Sequence, residues 1–153
     1  AAALMSGTSE INNHFSAPPF QYMEAKAAGV RKITSAEEIL GAPATYMVAY
    51  TTEKFRADNP KTYAAFVAAL RDSLDFINKD PRAAAQAYLD ASKDPISVDD
   101  AVTMIKDPGA KFTMAPDNVM TFADFMFKEG LIRIRPNSWK DMFFPEVYDL
   151  PGS

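Results

Sequence analysis

His14 is the only histidine in the chain, and it stands in the stretch HFSAPPFQ beside Ser16, Pro18, Pro19, Phe15 and Phe20. An imidazole can donate from either ring nitrogen and a serine hydroxyl can donate or accept, so two such groups two residues apart can hold an oxyanion. The paired prolines cannot donate backbone hydrogen bonds, and they stiffen the corner that carries the polar groups. A stiff corner loses less entropy when a ligand settles on it. A histidine beside a phenylalanine equally describes a ring satisfied by one local hydrogen bond, and Pro-Pro at a helix start is capping chemistry in any protein. With no cysteine and one histidine, neither thiolate chemistry nor a dedicated metal site is expected. The acids of DSLDF and SVDD read as solvated helix faces, not as a catalytic pair. No Ser-His-Asp order and no glycine-rich phosphate loop is found, so the chain reads as a non-enzyme that requires no cofactor.

The elements that must position this corner follow from periodicity and punctuation. AAALMSG reads as helix closed by Gly7. Residues 9–15 and 30–34 read as short strands, and 18–29 between them as a helix begun by prolines and ended at Gly29. Ser35 and Glu38 form a capping box for a helix that stops at Gly41. The run ATYMVAYT, 44–51, is rich in β-formers and reads as the best strand, buried on both faces. Beyond residue 52 the pattern is helical throughout. Asn59-Pro60 opens a helix with a stripe of Tyr63, Phe66, Val67, Leu70, Leu74 and Ile77. Asp80-Pro81 opens an alanine-rich helix, Ser97 with Asp100 another, and Pro116 a last long one whose FADFMF is expected in the core. SWKDMFF, 138–144, reads as a short aromatic helix.

The chain has 153 residues, 48% hydrophobic and 24% charged, which suits one globular domain rather than a disordered segment. A formal net charge of −4 with scattered lysines and arginines argues against nucleic acid or an anionic membrane as partner. Nothing approaches the roughly 18 consecutive apolar residues of a membrane span.

Four pieces in order, ALMSG…EINNHFSAPPFQ, PATYMVAYTTEKFRADNPKTYAAFVAALRDSLDFINKDP, FADFMFKEGLI and PNSWKDMFFPEVYDLPGS, resemble the periplasmic substrate-binding proteins of ABC importers for nitrate, sulfonate and taurine. The resemblance covers nearly the whole chain. It implies an α/β fold of the two-lobed periplasmic binding protein (type II-like) class, of which this chain is the helix-rich C-terminal portion. Residues 1–45 would finish the second lobe and carry the cleft loop. Residues 46–153 would supply the return crossing and the helices packed on the first lobe. It further implies periplasmic capture of a small anionic organic solute, and an ABC permease as membrane partner. The missing N-terminal half, or a swapped second copy, would complete the cleft. The ligand-binding residues expected are His14, Phe15, Ser16, Ala17, Pro18, Phe20, Thr45 and Tyr46. Asn12 stands where the family commonly has Asp, which fits a more anionic or a neutral ligand. Two other classes stand against this reading. An enzyme on the same scaffold, like the thiamine-pyrimidine synthases, would carry a cysteine-rich motif. A stand-alone helical interaction module would hold little strand.

Overall fold

A computed structural model describes residues 1–8 and 10–153. The described residues form eight α-helices, two short 3₁₀ turns and no strand. The helices are α1 (Ala2–Ser6), α2 (Phe20–Ala25), α3 (Ala36–Leu40), α4 (Glu53–Asp58), α5 (Pro60–Lys79), α6 (Pro81–Ser92), α7 (Val98–Ile105) and α8 (Val119–Lys128). The 3₁₀ turns, Trp139–Met142 and Pro145–Val147, lie near the C-terminus.

Local chemistry sets most helix starts. Ser35 accepts from the Glu38 N–H and Glu38 reaches back to the Ser35 N–H, so α3 carries the expected capping box and ends on left-handed Gly41. Asp80 caps α6 and Ser97 caps α7. Thr52 caps α4 by accepting from the Phe55 N–H. Asn59 does not cap α5; its amide instead donates back to the Phe55 carbonyl. Pro116 does not open α8. That helix begins at Val119, after Asn118 in the left-handed region at φ 53°. The C-terminal segment supplies its cap: the Asn118 N–H donates to Ser153 Oγ and the Val119 N–H to the Ser153 carbonyl oxygen.

The α/β expectation is overturned. Of the strand expected over 9–15, Ser9 lies outside the described residues and 10–15 forms no ladder; 30–34 and 44–51 form none either. A helix satisfies its backbone internally, whereas a strand needs a neighbour, and three short segments without a shared apolar face do not supply one another. The two-lobed α/β architecture is therefore not that of this chain.

Packing follows the chain order: α4 lies on α5, α5 on α6 and α6 on α7. The buried centre is small and made mostly of small residues. Ala84 and Ala85 of α6 and Ala101 of α7 are buried where those two helices pack, and Pro116 and, on α8, Val119 and Ala123 are buried as well. FADFMF contributes only Ala123 to that core; Phe125 is 58% exposed, and Met126 and Phe127 also face solvent. On α5, Phe66 is exposed and the other stripe residues are only half-buried.

The chain exposes 11075 Å². A compact monomer of 16.8 kDa exposes about 7,600 Å², so roughly 3,400 Å² more surface than expected is open. No helix of the described residues is long and apolar enough to cross a membrane.

Candidate functional site

The polar corner is built around α2. Its Glu24 is 5% exposed and turned inward, where His14 Nδ1 lies 2.5 Å from Glu24 Oε1. The Ala1 ammonium lies 3.4 Å from the same oxygen. Burial pushes the Glu24 carboxyl up, but hydrogen bonds from His14 and the N-terminal ammonium outweigh it and hold the carboxyl below its ordinary range. A carboxylate facing Nδ1 favours the ring proton there, and among the described residues Nε2 has no hydrogen-bond partner. Ser16 Oγ is buried and completes no hydrogen bond of acceptable geometry, although it is close enough to Glu24 to favour the charged form.

The rest of the corner is apolar and open. Phe15 is 86% exposed and Phe20 52%. The Pro18–Pro19 bond is cis, and Pro19 stands just before α2. Ala17 accepts from the Gln21 N–H at 3.3 Å, so that donor is already used. With six residues, α2 is too short to present a developed dipole, and the Tyr22 and Met23 N–H groups of its first turn donate to the Pro19 carbonyl.

Thr45 and Tyr46 belong to a different place. The Thr45 N–H donates to the Asp117 carbonyl at 2.8 Å, and the Asp117 N–H returns to Thr45 Oγ1 at 2.9 Å. Lys111 pairs with the Asp117 carboxylate at 2.8 Å. The Tyr46 ring meets Phe122 edge-on at 5.9 Å, and burial together with the charge of Glu37 raises its phenol. These contacts brace the segment before α8 and do not join the His14 corner. The structure thus divides the eight expected residues into the corner from His14 to Phe20 and a brace at Thr45 and Tyr46.

Two clusters were absent from the expected set. Tyr22 Oη donates to Asp107 Oδ2 at 2.6 Å, tying α2 to the loop after α7. Burial first, and then the Asp107 hydrogen bond and charge, push the Tyr22 phenol up to about 12. Near the C-terminus, Glu146 receives Arg56 Nη2 at 2.7 Å and Tyr63 Oη at 2.9 Å. The Arg56 guanidinium lies 5.0 Å from the Phe144 ring centre and 5.3 Å from that of Tyr63. Burial raises the Glu146 carboxyl, and the Arg56 and Tyr63 hydrogen bonds bring it below its usual range. Partners 85 and 83 residues apart leave no local signal in the sequence.

Two shallow grooves of about 370 and 410 Å³ lie elsewhere. One is lined by Asp80, Arg82, Gln86 and Val98, and the other by Asn78, Lys111, Phe112 and Asp117. Neither includes a residue expected to hold a solute. Among the described residues no three His, Asp or Glu side chains converge as metal ligands. The arrangement at α2 can accept or donate hydrogen bonds to a small polar molecule; it pairs no nucleophile with a base. No family model, curated protein or solved structure matches the chain.

Proposed function

We propose that this chain is a solute-binding component of an ABC-type importer. It works outside the cytoplasm with a membrane permease and holds a small organic anion, such as a sulfonate, at the His14–Ser16 corner. The observation that carries this reading is the Ser16 hydroxyl, which is withdrawn from water, stands near the Glu24 carboxylate and completes no hydrogen bond of acceptable geometry. A buried polar group left unsatisfied costs about 1–3 kcal/mol, and a ligand oxygen recovers that cost. The open Nε2 of His14 adds a second polar contact, and the exposed rings of Phe15 and Phe20 supply apolar cover for a carbon skeleton. Glu24 is paired with His14, so its carboxylate repels an incoming anion less than an unpaired acid does. The sequence resemblance to nitrate, sulfonate and taurine binders supports the same ligand class.

A second reading, a helical interaction module, is favoured by the strand-free fold and the exposed aromatic surface. Titration calorimetry and native mass spectrometry with taurine, ethanesulfonate and nitrate separate the two. The expected result is a one-to-one complex with at least one probe, weakened about 5- to 150-fold in Ser16→Ala, the range that corresponds to 1–3 kcal/mol. Failure of all three probes to bind, or binding that Ser16→Ala leaves untouched, overturns the proposal.

A further inference from the structure

The stretch Thr45-Tyr46-Met47-Val48-Ala49-Tyr50-Thr51 reads nearly the same in both directions, with Thr and Tyr repeated about Val48. It runs within a segment, 43–52, that holds no helix or turn and ends in extended backbone at Thr52, with φ −82° and ψ 151°. None of Tyr46 to Thr51 makes a backbone hydrogen bond. Met47 is 89% exposed, Val48 57% and Tyr50 92%. A β-prone, uncharged segment with unpaired backbone is an open template for another strand.

We propose that this segment pairs antiparallel with the same segment of a second copy, about a twofold axis through Val48. The register places Tyr46 opposite Tyr50, Thr45 opposite Thr51 and Val48 opposite itself. Aromatic pairs and threonine pairs across strands are favourable contacts. The geometry also selects which edge is used. Thr45 sends its N–H to Asp117, and in a strand alternate residues share an edge, so the edge of 45, 47 and 49 is the inner one. The outer edge belongs to Tyr46, Val48 and Tyr50, whose N–H and C=O groups exchange bonds in the pairs 46 with 50 and 48 with 48. Pro43, which has no N–H, and the start of α4 at Glu53 bound the ladder at either end.

A second copy fits better than a charged partner, because no residue from Pro43 to Thr52 is ionisable except the tyrosines. The open surface is also sufficient. Covering a quarter of the roughly 3,400 Å² excess on each chain reaches the ~800 Å² per partner of a stable interface. An isologous contact of this kind closes on itself and stops at two chains. The inference is independent of the solute-binding reading.

Sedimentation and light scattering of the full chain test it. A mass near twice 16.8 kDa is expected, with association weakened at least tenfold in favour of monomer by Val48→Lys, which sets two ammonium groups face to face on the axis. Far-UV circular dichroism of that variant is expected to match wild type diluted to monomer, since the exposed Val48 makes no backbone bond there. In the dimer, amide exchange by NMR is expected to slow at 46, 48 and 50 relative to 47 and 49. A single 16.8 kDa species at about 100 µM overturns the proposal, as do a dimer indifferent to Val48→Lys, protection of 47 and 49 instead, or open-ended assembly beyond two chains.

Discussion

Replacing Tyr22 by Phe removes one oxygen and with it the side-chain hydrogen bond that ties α2 to Asp107. The lost bond is a 2.6 Å hydrogen bond to a carboxylate, a type that contributes about 1.5–3 kcal/mol when well shielded. Both residues are half-buried, so solvent reduces this to about 1–2 kcal/mol near neutral pH. For a chain of this length that loss lowers Tm by roughly 2–8 °C. The pH profile is the sharper test. The folded phenol titrates at about 12 against an ordinary 10, so the folded state prefers the protonated form. Wild-type stability from this group is fully present below pH 10 and is lost as pH rises towards 12. At the acid end, the Tyr22 hydrogen bond holds the Asp107 carboxyl below its usual range, so its contribution disappears as pH falls below about 3.8. The advantage of wild type over Tyr22→Phe is therefore a plateau with two falling flanks. Urea unfolding followed by circular dichroism at stepped pH values measures it. A difference that stays constant from pH 7 to 12, or no difference at pH 7, refutes the reasoning.

The Glu24 carboxyl is also held low, so its stabilising contribution is present above its ordinary value of 4.5 and fades as pH falls below it. Glu24→Gln is expected to unfold more easily than wild type at pH 7, with the gap narrowing by pH 3 in the same urea titration. Gly152 lies beneath the Trp139 indole, where an added Cβ would sit 2.5 Å from Cε2. Gly152→Ala is expected to cost about 1–3 kcal/mol through overpacking, and to speed amide exchange at Val119 by loosening its bond to Ser153.

Helix starts were legible because capping is decided within four residues. Ser35 with Glu38, Asp80 before Pro81 and Ser97 with Asp100 each stand where the local pattern predicts. Pro116 misled because tertiary contacts override local signals there: Asp117 is claimed by Thr45, and Ser153 caps the helix two residues later. ATYMVAYT has the composition of a strand, but composition cannot supply the neighbour that makes one. At the corner, the sequence pointed to His14 and Ser16 as polar groups on a rigid turn. It could not reveal that Glu24, ten residues on, occupies one imidazole nitrogen, because that pairing depends on how α2 turns back.

The Tyr22–Asp107 tie also has a meaning in time. During synthesis Tyr22 emerges first, and its partner follows 85 residues later. At about 5–20 residues per second the wait is roughly 4–17 s. Helices α4 to α7 pack on sequence neighbours and can form as they appear. Once made, the segment from Thr45 to Thr51 lacks its tie at Thr45, since Asp117 is made later still. A nascent chain thus displays its most β-prone stretch before the Asp117 brace exists.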